Sequence, residues 1–141
     1  MSKYIHKVQY YETDRMGLVH HSNYIRWMEE ARIDFLESIN LGFDKLENMG
    51  ITSPILEVNC KYKSGSTFGD SIEIETSIEK YNGIKVTIGY IMKNVKTKDI
   101  VVTGDTTLCF INMNNKKPII LKKENSLLDK KLREFCDNKN I

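Results

Sequence analysis

The stretch "SNYIRWMEEARIDFLESINLG", residues 22–42, decides the architecture. Tyr24, Met28, Ala31, Phe35 and Ile39 recur at helical spacing, while Arg26, Glu29, Glu30, Arg32 and Glu37 fall on other faces. Ser22 is a suitable N-cap and Gly42 a stop, so the spacing predicts a helix of about 17–19 residues, about 26–28 Å long. In a chain of 141 residues that helix must be the central element. Trp27 and Met28 are read as core or interface side chains rather than as a ligand stripe.

Around the helix the periodicity is two. Tyr4 to Glu12 reads as a first strand. After Pro54, Leu56, Val58, Cys60 and Tyr62 alternate with Glu57, Asn59, Lys61 and Lys63, and Ile72, Ile74, Thr76 and Ile78 alternate with Glu73, Glu75, Ser77 and Glu79. Ile84, Val86, Ile88 and Tyr90 follow, and residues 100–111 form the last strand. "YNGI", residues 81–84, places Asn82 and Gly83 where a two-residue hairpin turn requires positive φ, predicting an antiparallel meander. The expected fold is α+β, a curved antiparallel sheet wrapped around one long helix. Asp44 to Met49 predicts a further short helical turn. In the tail, residues 122–141, Ser126 and Asp129 have capping-box spacing, and Leu128, Leu132, Phe135 and Cys136 form one stripe of a short C-terminal helix.

Composition bounds the function. With 40% apolar residues and 21 basic against 19 acidic side chains, the net charge of +2 gives no footprint for nucleic acid. Cys60, Cys109 and Cys136 are widely spaced and form neither a disulfide framework nor a thiolate metal site. "MSKYIHKVQYYE", residues 1–12, lacks the apolar segment of a signal peptide, and no apolar run suffices to span a membrane. One cytoplasmic domain covering residues 1–141 is expected, with its core in about residues 1–115.

Chemistry concentrates just before the helix, in "TDRMGLVHHSNY", residues 13–24. A helix N-terminus offers unpaired amides and partial positive charge, which polarise a carbonyl and hold the oxyanion formed when it is attacked. Asp14 lies just upstream, and Gly17 lets the loop turn back. Asp14 is either a turn-organising residue or a reactive carboxylate. In the second case it attacks directly to form an anhydride or activates water as a general base. Glu12, two residues earlier, shares its face if the strand continues that far. A metal set built from Glu12, Asp14, His20 and His21 is disfavoured, because the stretch lacks the i, i+4 histidine pair that puts two ligands on one helical face. Cys60 and Cys109 alternate with strand apolar residues and read as packing rather than as nucleophiles.

Asp14, Gly17, Val19, His21, Asn23 and Tyr24, followed by Glu29, Ala31 and Arg32, resemble the pattern D-x-x-G-x-V-x-H-x-N-Y with E-x-A-R of hotdog-fold acyl-CoA thioesterases of the 4-hydroxybenzoyl-CoA thioesterase type. "KYKSGSTFGDSIEI", residues 61–74, resembles that family's strand-turn-strand ending in Gly-Asp. The resemblance implies a hotdog fold that hydrolyses acyl-CoA to a free acid and coenzyme A without a cofactor. It makes Asp14 the catalytic carboxylate and the His21 amide the group that polarises the thioester, with Asn23 and Tyr24 shaping the pocket and Glu12 in support. His20 departs from the aromatic residue common in the family and lines the pocket. Lys61, Lys63 and Lys85 become the candidates for coenzyme A contacts. The resemblance also implies a homodimer with a continuous sheet, assembling further into a homotetramer, with the acyl pocket at the dimer boundary. Two rivals remain at this point: a hotdog enoyl-CoA hydratase or dehydratase, whose D-x-N-P-x-H-x-D arrangement is absent here, and a domain that binds acyl-CoA without turnover.

Overall fold

The computed structural model describes residues 2–136. The long helix, α1, spans Ser22–Ser38 and buries Tyr24, Trp27, Met28, Ala31, Phe35 and Leu36, each large apolar side chain contributing about 1.5–3 kcal/mol on removal from water. It lies on the inner face of a five-stranded antiparallel sheet ordered β1-β4-β5-β6-β3. These strands are β1 (Ser2–Lys7), β3 (Ile55–Tyr62), β4 (Ser71–Tyr81), β5 (Lys85–Asn94) and β6 (Ile100–Cys109), while β2 (Ile51–Thr52) pairs with β7 (Ile111–Asn112) beside them. Helix α2 (Phe43–Asn48) follows α1, and α3 (Leu121–Glu124) and α4 (Ser126–Glu134) close the described chain. Residues 137–141 of the expected tail helix lie outside the described residues.

Several boundaries differ from expectation for local reasons. The first strand stops at Lys7, because Val8 leaves the β4 ladder to exchange main-chain bonds with Asp70 and Gly69. Tyr10–Glu12 then forms a 3-10 turn in which the Glu12 carboxylate accepts the Gln9 amide, so Glu12 and Asp14 do not share a strand face. The left-handed residue ending α1 is Asn40, at φ 63°, rather than Gly42, which instead precedes α2. Only Gly83 has positive φ in the β4–β5 turn; Asn82 uses its side-chain oxygen to accept the Ile84 and Lys85 amides. The cap of α4 is Asn125, whose Oδ1 accepts the Leu128 amide, in place of Ser126.

The strands β4, β5 and β6 form the expected meander, but β3 does not adjoin β4. It runs antiparallel to β6 at the opposite edge. Arg32, expected on a polar face, is buried against the sheet with Nη1 donating to the Tyr90 hydroxyl at 3.2 Å. Helix and sheet come close at Gly104 of β6, where a Cβ would meet the Asn59 carbonyl and would come within 2.7 Å of Met28 Cε.

Helix α4 is fastened to β4 by the Tyr81 hydroxyl donating to Asp129 Oδ1 at 2.5 Å, and within the helix Arg133 Nε donates to Oδ2 of the same carboxylate at 3.1 Å. Burial opposes ionisation of Asp129, yet the bonds from Tyr81 and Arg133 outweigh it and hold the carboxyl below its ordinary range. Burial and then Asp129 push the Tyr81 phenol up. The depressed carboxyl stabilises the fold above about pH 4 and ceases to do so as pH falls through its folded value, whereas the raised phenol contributes below about pH 10.

Gly104→Ala is therefore expected to lower stability by about 1–3 kcal/mol through overpacking. An unchanged Tm would show that both the β3 backbone at Asn59 and the Met28 side chain yield freely. Tyr81→Phe is expected to cost about 0.5–1.5 kcal/mol, constant between about pH 5 and 9 and shrinking below about pH 4. Denaturation curves across that range measure the difference, and a penalty that persists in acid would contradict the assignment.

Candidate active site

The loop between the 3-10 turn and α1 is a closed bend. Thr13 bridges Val19, the Asp14 amide donates to the Leu18 carbonyl at 2.7 Å, and the Gly17 amide returns to the Asp14 carbonyl at 3.0 Å. Gly17 sits at φ 78°, which a residue with a Cβ adopts only with strain. The bend rests on residues 65–67: the Val19 amide donates to Ser66, Thr67 Oγ1 donates to the Gly17 carbonyl, and Leu18 packs where a side chain on Gly65 would crowd it.

Asp14 is exposed, and its two oxygens have different surroundings. Oδ1 accepts the Met16 amide at 2.8 Å and, at longer range, that of Leu18 at 3.4 Å. Among the described residues Oδ2 has no partner. The carboxylate is thus oriented by one oxygen and available through the other.

The start of α1 is capped by His20 rather than by Ser22. His20 Nδ1 accepts the Ser22 amide at 3.2 Å and lies 2.8 Å from Ser22 Oγ. An amide can only donate, so Nδ1 is unprotonated and the ring proton resides on Nε2. The Asn23 amide donates to the His20 carbonyl. Just before them, the His21 amide has no acceptor among the described residues, at the positive end of a 17-residue helix.

Asp14, His21, Tyr24 and Lys63 line one cleft of ≈ 310 Å³ together with Leu18, Val19, Tyr62, Ser64 and Gly65. Tyr24 forms its buried wall, with its hydroxyl 2.7 Å from Ser66 Oγ. Tyr62 faces His21 edge-on, with ring centroids 6.1 Å apart. Burial pushes the Tyr24 and Tyr62 phenols up, and it pushes up the Cys60 thiol beside them, which keeps that sulfur a protonated, weak nucleophile. A second cavity of ≈ 280 Å³ between α2 and α4 contains none of these groups.

The other expected residues lie outside the cleft. Asn23 is buried and its Nδ2 donates to the Glu12 carbonyl at 2.9 Å, so it fixes the loop rather than shaping a pocket. His20 is a helix cap. Lys61 is an exposed residue of the edge strand, and Lys85 lies opposite Cys109, at the far end of the sheet from the row of Tyr62, Val102 and Met92. Sequence reasoning did not place Tyr62 or Ser64 at the site. Tyr62 carried a signal, its parity with Val58 and Cys60 on the inner face; Ser64 carried none.

Comparison with known proteins agrees with this geometry. A family model described as the Thioesterase-like superfamily matches residues 8–132. The chain is 32% identical over 117 residues to YneP of Bacillus subtilis, a candidate acyl-CoA thioesterase, covering 83% of this chain and 84% of that one. It is 37% identical over 122 residues to a candidate esterase of Aquifex aeolicus, covering 86% of this chain and 91% of the relative. The crystal structure of a DHNA-CoA thioesterase from Staphylococcus aureus superposes with a TM-score of 0.88 at 29% identity, covering 94% of this chain and 89% of that one. The fold is therefore the hotdog fold, and the chain belongs to the Thioesterase-like superfamily.

Proposed function

We propose that this chain is a cytoplasmic acyl-CoA thioesterase, one hotdog domain that releases a free carboxylic acid and coenzyme A. The observation that carries the reading is that one cleft is lined both by Asp14, whose Oδ2 has no partner among the described residues, and by His21, whose amide has no acceptor among them. The thioester carbonyl oxygen takes the His21 N–H, where the α1 dipole adds to the stabilisation of the developing negative charge. Asp14 then acts in one of two ways. It draws a proton from a water that adds to the carbonyl carbon, or its own oxygen adds to give an anhydride that water cleaves. In both routes the carbon–sulfur bond breaks with its electron pair on sulfur, and the thiolate leaves without needing a general acid. Tyr24 and Tyr62 wall the reacting group, and Lys63 at the cleft supplies positive charge for the coenzyme.

The assembly belongs to the same proposal. Strand β3 has one unpaired edge and exposes Leu56, Val58 and Tyr62, while Ile25 of α1 is 41% exposed. An apolar edge strand left open invites pairing with another chain. A second copy adding its own β3 forms a continuous sheet and covers these side chains, and because Tyr62 and Lys63 border the cleft, the partner completes it. Two such dimers associate as a homotetramer.

Asp14→Asn is expected to lower kcat for thiol release at least about 10²-fold with unchanged circular dichroism. Wild-type turnover would remove Asp14 from the mechanism. A panel of acyl-CoAs of varied chain length and an enoyl-CoA hydration assay separate hydrolysis from the rival reaction. Val58→Glu is expected to give monomers by sedimentation and to abolish turnover, and full activity in a monomer would refute the shared site.

A further inference from the structure

On the inner side of the Asp14 loop lies a buried polar cluster for which the hydrolytic chemistry has no direct use. Glu12 is 4% exposed. Its Oε1 lies 2.8 Å from His6 Nε2 and accepts the Gln9 amide at 2.8 Å, and its Oε2 accepts the Trp27 indole N–H at 2.7 Å. His6 on β1, itself buried, is held from the other side by Glu30 of α1, whose Oε1 lies 2.9 Å from Nδ1. The same Glu30 oxygen accepts the Tyr4 hydroxyl at 2.8 Å. Burial, Glu30 and Asp34 push the Tyr4 phenol up to about 12, so it remains a donor. The imidazole stacks on Trp27 with ring centroids 4.3 Å apart.

Burial opposes ionisation of Glu12, but the donors Gln9, His6 and Trp27 together hold its carboxyl below the ordinary range. Ionised carboxylates only accept, so a ring placed between two of them satisfies both by donating from both nitrogens. Each ring nitrogen of His6 thus meets a carboxylate oxygen, a geometry with little freedom.

The main chain of Glu12 does something separate. Its carbonyl accepts the His20 amide at 2.8 Å and Asn23 Nδ2 at 2.9 Å. One residue is thus fixed from within through its side chain and tied through its carbonyl to the first turn of α1. Asp14 follows it by two positions in the chain, and His21 follows the amide it holds by one. We propose that Glu12 is a positioning residue: pinned by His6, Trp27 and the Gln9 amide, it sets the separation between the Asp14 carboxylate and the His21 amide. The rate consequence rests on the hydrolytic reading above; the geometric consequence does not.

Glutamine at this position keeps the shape but replaces one acceptor oxygen by an NH2 group, so the bonds from His6, Gln9 and Trp27 cannot all be kept. A displacement of about 1 Å at reacting groups costs up to about 10²-fold in rate. In the full-length protein, Glu12→Gln is expected to lower kcat about 10–100-fold while KM stays within about threefold, because the cleft walls are untouched. In ¹⁵N-labelled protein the wild-type His6 ring is expected to show two N–H groups, and Glu12→Gln to shift the His20 and His21 amides and speed exchange of the His20 amide. Trp27 is the one tryptophan of the chain, so disturbance of its bond to Glu12 in Glu12→Gln is expected to change its fluorescence. Unmoved His20 and His21 amides overturn the proposal, as does an unchanged kcat, or a loss of rate that merely tracks the unfolded fraction. If Glu12→Gln does not fold, Glu12→Asp, with the carboxylate drawn back by one methylene, is read by the same criteria. Should the wild type release no thiol from any acyl-CoA, the hydrolytic reading fails by itself, and the amide shifts still decide for or against the proposal.

Discussion

One backbone amide, that of His21, stands at the positive end of a long buried helix with no acceptor of its own among the described residues. Helix starts ordinarily satisfy such groups with side-chain caps or water. Here the amide after it is taken by His20 Nδ1 and the next by the His20 carbonyl. The helix is capped around this one donor, and its residue lines a cleft together with Asp14. Chemistry that builds negative charge on an oxygen uses such a donor, because the dipole is already oriented and needs no reorganisation.

The rest of the structure keeps that helix in place. Its apolar face needs a sheet to bury it, and the sheet makes room for it with a glycine, Gly104, beside Met28. On the β1 side the contact is polar, with Trp27, His6, Glu12 and Glu30 joined by hydrogen bonds that admit one register of helix on strand. On the opposite side β3 remains an open apolar edge. The two sides differ in kind: the closed one ties the loop to the helix through polar bonds, and the open one leaves Leu56, Val58 and Tyr62 exposed, with Tyr62 at the rim of the cleft.

Much of this was legible in the residues, for identifiable reasons. The helix and the inner faces of β4 and β5 were readable because periods of 3.6 and 2 record burial directly, whereas the alternation of β3 is not matched by burial in the single chain. The partner of a strand leaves no such record, so alternation could not place β3 beside β6 rather than β4. Tyr4 to Glu12 imitates a strand in composition, but the turn at Tyr10 is set by a buried carboxylate reaching the Gln9 amide, which is a tertiary effect. For the same reason Arg32 read as a surface charge, though its hydroxyl partner lies 58 residues away at Tyr90. At the site, Asp14, His21 and Tyr24 were identified through a resemblance to a known pattern. Lys63 separates from Lys61 only because β3 ends at Tyr62 and turns the chain into the cleft, which parity along a strand does not foretell.

The decisive observation concerns where a bound thioester oxygen lies. Titration of ¹⁵N-labelled protein with a non-hydrolysable acyl-CoA thioether ketone, followed amide by amide, locates it. The largest downfield proton shift is expected at the His21 amide, with Asp14 and Tyr62 perturbed beside it. Saturable binding that leaves the His21 amide unmoved while amides elsewhere shift would contradict the mechanism at its root.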